Sequence, residues 1–166
     1  MQMAFRRRAY EPGHRPKILI IVDDTPECER AGLFAARRAR RSGANVVMLA
    51  IIVPEDGQPW LGVGDIMQAE AEAEANQRLD KAAEIVRREA GFEPERVIRT
   101  GVPSEEVMAL IEGDEDIAVL VLAAGIGKDG PGPLVSLIAG RVAASFPVPV
   151  TIVPGGLAEA DFEALA

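Results

Sequence analysis

Four runs of branched and apolar residues restrict the fold of this chain more than any other feature. They are Lys17–Val22 (KILIIV), Asn45–Val53 (NVVMLAIIV), Val119–Leu122 (VLVL) and Pro147–Val153 (PVPVTIV). The first three lack the polar alternation of a strand wetted on one face, so they read as strands covered on both sides. A shorter fifth run, Arg96–Arg99, also reads as a strand. The segments between them carry helical spacing instead. Five strands alternating with four helices predict an α/β fold: a single parallel sheet with helices on both faces. Prolines bracketing the last run place it at a sheet edge, because proline cannot donate to a ladder.

The length of 166 residues and a hydrophobic content of 48% suit one domain with a substantial core. A net charge of -8 argues against general nucleic-acid binding. No apolar run approaches membrane-spanning length. Cys28 is the only cysteine, which rules out an internal disulfide and suits a reducing cytoplasm. The single histidine, His14, makes a histidine-based metal centre or triad improbable. The expected organisation is a basic arm over 1–16, an α/β domain over 17–154 and an acidic tail over 155–166. The arm is expected to be solvated and the tail to lie on the surface.

Local signals set further expectations. Thr25 can cap the first helix, with Pro26 at its first position. Ala31, Phe34, Ala35 and Ala39 form its inward face. Arg37, Arg38, Arg40 and Arg41 then read as solvated charge compatible with the helix dipole. Cys28 reads as a packing residue. Trp60, in the loop after the second strand, is expected to cap the core or a dimer surface. Leu79, Ala82, Ala83, Val86 and Ala90 form the inward face of a long second helix ended by Gly91.

The stretch after Val119–Leu122 carries the clearest functional signal. A glycine- and proline-rich loop, Gly125–Pro133, leads into an apolar helical pattern of Leu134, Val135, Leu137, Ile138 and Val142. Strand, glycine loop and helix start together leave backbone N–H groups open to an anion such as phosphate. The P-loop is excluded, because Asp129 follows Gly127-Lys128 where a Ser or Thr would hold the metal. Gly125-Ile126-Gly127-Lys128-Asp129-Gly130 satisfies G-x-G-x-x-G, but no acidic residue ends the following strand as a dinucleotide site requires.

Gly127-x2-Gly130-x9-Gly140 resembles the nucleotide loop of the universal stress protein family. So do ILIIVDDTPE with its terminal acid, VVMLAIIVPED, VIRTGVPSEEVMALI and PVPVTIVP, in order from Lys17 to Pro154. This resemblance implies a sheet of strand order 3-2-1-4-5 and a homodimer through Pro147–Val153. It also implies binding of ATP or AMP, with Mg possible through Asp23. By position, Asp23 would sit beside adenine and ribose, and Ile51 would contact the base. Gly127 and Gly130 would let the loop approach the phosphates, with Gly140 beside them. Gly125 is the alternative first glycine of the loop. Arg141 stands where nucleotide-binding members carry Ser or Thr; it can pair with phosphate or point to solvent. Ser136 is a candidate replacement hydroxyl.

The resulting expectation is a cytoplasmic, dimeric, adenine-nucleotide-binding stress-response regulator with no nucleic-acid or membrane partner. A dimeric module of the same fold that binds no nucleotide is the alternative. No nucleophile, base and orienting group occur together, so catalysis would reach at most slow ATP hydrolysis.

Overall fold

A computed structural model describes residues 6–54 and 64–166. Its strands are β1 (Lys17–Ile21), β2 (Asn45–Ile52), β3 (Glu95–Thr100), β4 (Ile117–Ala124) and β5 (Val150–Pro154). They form one parallel sheet in the order β3-β2-β1-β4-β5. The helices are α1 (Cys28–Ser42), α2 (Gly64–Ala90), α3 (Pro103–Gly113) and the short α4 (Pro133–Ser136) and α5 (Phe162–Leu165). Both the parallel sheet and its strand order agree with the sequence reading.

Alternation along the strands divides the core in two. Ile18, Ile20, Val46, Met48 and Ala50 point to the face covered by α1 and α2. Leu19, Val47, Leu49, Leu120 and Leu122 point to the face covered by α3 and α4. A sheet covered twice needs apolar side chains at successive positions, which is why the runs do not alternate with polar residues. The predicted inward face of α1 is buried, as are Leu79, Ala82, Ala83 and Val86 of α2; Ala90 is partly buried beside them.

Several local expectations are corrected. The helix α1 starts at Cys28, not at Pro26, and its N-cap residue Glu27 makes no side-chain cap bond. Thr25 instead donates from both its N–H and its Oγ1 to Asp23 Oδ1, at 2.9 and 2.5 Å. The last strand begins at Val150, so Pro147 and Pro149 precede it, and Pro149 contributes only its carbonyl, to Leu120 N–H. The helical pattern after the glycine loop is α-helical only to Ser136. A π-helical turn follows at Leu137–Arg141, closed by Val142 N–H on Leu137 O, and then a 3-10 turn at Ala143–Ser145. Trp60 lies outside the described residues.

The arginines of α1 are not merely solvated. Arg37 Nε lies 3.1 Å from Glu89 Oε2 of α2, and its Nη1 lies 3.4 Å from Glu163 Oε2. Burial of Glu89 would raise its pKa, but the hydrogen bond from Arg37 outweighs that and holds it below the ordinary value. Arg38 donates to Leu165 O, Arg40 to Glu89 O, and Arg41 to the carbonyls of Glu163 and Ala166. These bonds draw the C-terminal segment against α1. The tail is therefore not only a surface segment, since Phe162 is fully buried in the α1–α2 core.

The N-terminal arm is likewise docked over its described part. Arg7 Nη1 donates to Ile111 O and Asp114 O at 2.7 and 2.9 Å. Ala9 is buried, and His14 Nδ1 lies 2.7 Å from Asp116 Oδ1. Lys17 Nζ reaches Glu95 and Asp114, both at 2.8 Å. Burial lowers the Lys17 pKa, but the hydrogen bonds to Asp114 and Glu95 outweigh it and leave the value raised.

Gly155 follows β5, and its N–H donates to Ala124 O at 2.9 Å. A Cβ built there would collide with that same carbonyl oxygen. Because the obstacle is backbone, a side chain cannot swing aside to relieve it. Gly155→Ala is expected to cost about 1–3 kcal/mol, lowering the melting temperature by roughly 2–12 °C in a calorimetric scan. An unchanged melting temperature would show that the β4–β5 junction yields freely.

Candidate nucleotide cleft

The order β3-β2-β1-β4-β5 makes the boundary between β1 and β4 the point where successive connections leave the sheet in opposite directions. A cleft of about 550 Å³ opens there at the carboxyl ends of the strands. Its floor is apolar: Ile21 and Val22 after β1, Ile51 from β2 and Leu122 from β4. One wall carries Cys28 and Ala31 of α1; another carries Pro103 and Ser104, where α3 begins. Pro131, Gly132 and Pro133 close the side under the glycine loop. The volume and the mixture of apolar floor with few polar groups are those of a small-molecule site.

Asp23 and Asp24 stand exposed at the rim. The two bonds from Thr25 hold one oxygen of Asp23 in a tight turn and fix the direction of the carboxylate. Glu27 lies further in. A Cβ at Gly125 would come within 3.1 Å of Glu27 Oε1, and a Cβ at Gly155 within 3.3 Å of Glu27 Cβ. The loop after β1 and the loop after β4 therefore meet, with a glutamate packed between them.

The residues singled out in the sequence fall into three groups. Asp23 and Ile51 line the cleft. Gly125, Gly127 and Gly130 shape the loop beside it but are not lining residues. Two loop amides are used internally: Gly125 N–H donates to Pro131 O at 3.0 Å, and Gly130 N–H donates to Gly127 O at 3.2 Å. Gly130 takes a positive φ of 80°, the left-handed conformation that glycine adopts without strain. Ser136, Gly140 and Arg141 are exposed on α4 and the π-helical turn and do not line the cleft.

Sequence reasoning passed over Gly132, Ser104 and Arg78, all of which line it. Gly132, at a φ of 114°, introduces α4. Its signal was present in the bracket Pro131-Gly132-Pro133. Ser104 and Arg78 carry no local signal, because tertiary packing alone brings them in.

At the opposite end of the sheet, ligand atoms of His14, Glu115 and Asp116 lie within 4.8 Å of one another. Here His14 joins the N-terminal arm to the α3–β4 turn. No described helix is long and apolar enough to cross a membrane.

The model of the universal stress protein family matches residues 14–154. The chain belongs to the universal stress protein family. Its fold is similar to that of universal stress protein UspA from Lactobacillus plantarum, at 18% identity and a TM-score of 0.68 over 83% of this chain and 97% of that one. It is also similar to the universal stress protein from Archaeoglobus fulgidus in complex with dAMP, at 22% identity and a TM-score of 0.58 over 83% and 97% of the chains. A universal stress protein in complex with cAMP matches at 18% identity and a TM-score of 0.53, over 85% and 98%. These likenesses establish a shared fold. Comparison with curated protein sequences gives no significant match.

Cys28 lines this cleft, and its thiol points to Ile21 O at 3.7 Å. Burial pushes its pKa up to about 11, with the neighbouring carboxylates adding to the rise and a backbone hydrogen bond at Asp23 opposing it. The nucleophile is the thiolate, so alkylation of folded protein at pH 8 should run roughly a hundredfold slower than in denaturant. The sign for stability follows. The unfolded chain gives up this proton first, so the contribution is complete below the ordinary thiol pKa and declines as pH rises towards about 11. Iodoacetamide labelling across pH measures this, and rapid labelling of the native protein at pH 8 would contradict it.

Proposed function

We propose that this member of the universal stress protein family binds an adenine nucleotide, ATP or AMP, in the cleft between β1 and β4. The observation carrying the reading is the convergence of Asp23, Ile51 and the glycine-loop flank Pro131–Pro133 on one apolar-floored cleft at the switch point. The flat apolar face of adenine suits Ile21, Ile51 and Leu122, and the free oxygen of the Asp23 carboxylate can accept from a ribose hydroxyl. With ATP, Mg held through Asp23 would bridge to the phosphates. The relatives crystallised with dAMP and cAMP support an adenine ligand for this architecture.

The protein would act as a stress-response regulator in the cytoplasm, with nucleotide occupancy as its signal. A second reading is favoured by the internally bonded amides of Gly125 and Gly130: a structural loop in a dimeric module that holds no nucleotide. One experiment separates the two. Heat-denatured, freshly purified protein should release an adenine nucleotide into the supernatant, and titration calorimetry with Mg-ATP and with AMP should show binding. Asp23→Ala should weaken that binding by about 1.5–3 kcal/mol, the range for a hydrogen bond to a charged group. Absence of both released nucleotide and calorimetric heat would favour the module.

The same reading includes a homodimer through the last strand. The strand β5 is an edge, and Ile152 on it remains 38% exposed. A charge at that position would oppose strand-to-strand association. Sedimentation should give a dimer for the native protein and a monomer for Ile152→Lys. A monomeric native protein would remove the dimer from the proposal.

A further inference from the structure

The cluster of His14, Glu115 and Asp116 lies at the amino ends of the strands, and nucleotide binding in the cleft makes no use of it. Among the described residues it is the one place where three ligand atoms of His, Cys, Asp or Glu gather. His14 Nδ1 lies 2.7 Å from Asp116 Oδ1 and 4.0 Å from Glu115 Oε1, and all three atoms lie within 4.8 Å of one another. A metal bound tetrahedrally at about 2.0–2.1 Å sets its ligands roughly 3.3 Å apart. The observed separations straddle that value, so small side-chain rotations bring the three donors to one centre.

Charge favours an ion there. Two adjacent carboxylates face one imidazole, and only Asp116 is within hydrogen-bond reach of it. The nearby cations are engaged elsewhere. Lys17 Nζ serves Glu95 and Asp114, Arg7 donates to the carbonyls of Ile111 and Asp114, and Arg6 pairs with Glu11. Arg8 approaches Glu115 on its other oxygen, Oε2, at 3.9 Å, which leaves Oε1 towards His14. A divalent cation would balance both carboxylates at once.

The backbone holds the two contributing segments together on either side of His14. Arg8 N–H donates to Glu115 O, and Lys17 N–H donates to Asp116 O, both at 2.9 Å. His14 N–H donates to Glu11 O at 3.0 Å, and Asp116 N–H donates to Asp114 Oδ1 at 3.1 Å. Ligands mounted on a fixed frame lose little freedom on binding. No ligand spacing in the sequence announces the group, since His14 and Asp116 are 102 positions apart.

We propose that His14, Glu115 and Asp116 bind a divalent transition-metal ion, zinc by preference, which fastens the N-terminal arm to the turn before β4. The imidazole selects zinc over magnesium and calcium, which take oxygen ligands. Water completes the coordination, because His14 and Asp116 are half-buried and Glu115 is exposed.

The test uses the full chain without an affinity tag, stripped with a chelator and titrated calorimetrically with zinc chloride and with magnesium chloride. Zinc should bind at a single site, and excess magnesium should not displace it. His14→Gln and Asp116→Asn should each weaken zinc binding by at least the roughly 10- to 100-fold that loss of an outer-sphere partner costs. A melting curve for each variant separates lost binding from lost folding. Trypsin cleavage after Arg8 reads the arm. At a zinc concentration ten times its Kd, cleavage should slow about tenfold in the native protein and stay unchanged in His14→Gln. Asp23, Asp24, Glu27 and Cys28 line the cleft and are the other candidate ligands, so zinc binding that survives in His14→Gln would assign the ion elsewhere and overturn the site. Absence of zinc binding to the native protein would overturn it as well. Unslowed cleavage with the ion bound would overturn the fastening of the arm.

Discussion

Enclosure of β1 on four sides is the constraint on which the rest depends. It is hydrogen-bonded to β2 and β4 and covered by helices above and below, so Leu19 and Ile20 are removed from water almost completely. A strand in that position must be apolar wherever both faces are covered, as from Ile18 onward, and its exit must be where the flanking connections separate. The acidic pair Asp23-Asp24 follows as soon as the strand leaves the core. Carboxylates there regain water at once, while the adjoining Ile21 and Val22 supply an apolar floor. The cleft is a by-product of the same geometry that buries β1.

The two ends of the sheet are finished differently. At the amino ends, Arg7, His14 and Lys17 tie the N-terminal arm to β3 and to the turn before β4. At the carboxyl ends, side chains shape an opening. A third set of contacts, from the arginines of α1 to the carbonyls of the C-terminal segment, keeps Phe162 in the core. Each of these arginine bonds is partly exposed and individually modest. Their position matters more than their number, because together they hold a buried aromatic that has little secondary structure of its own.

The fold was legible because its signals are periodic and local. Uninterrupted apolar runs separate a doubly covered strand from a wetted one, and the glycines and prolines divide them. The strand order came from the family resemblance, since periodicity carries no information about which strands are neighbours. Local reasoning failed where a side chain found a distant partner. Thr25 looks like a helix cap and instead serves Asp23. Arg37, Arg38, Arg40 and Arg41 look like dipole charges and instead bind other segments. The site was legible in part for the same reason. Asp23 and Ile51 are set by strand ends, whereas Arg78 enters from the middle of a helix, and no neighbour in sequence foretells it. The glycine loop flanks the cleft through Pro131–Pro133, but the bonds from Gly125 and Gly130 back to their own loop could not be read from spacing.

The packing of Glu27 has a mechanical consequence. Its side chain abuts the glycine loop at Gly125 and the residue that terminates β5 at Gly155, while its backbone opens α1. Neither glycine has a side chain to absorb a shift, and Gly155 is already seated against Ala124 O. A side chain at either glycine would press on Glu27, so the absence of one at both places is what lets the glutamate lie between the loop and the end of β5. One cleft residue thus sets how much bulk both the glycine loop and the end of the outermost strand can carry.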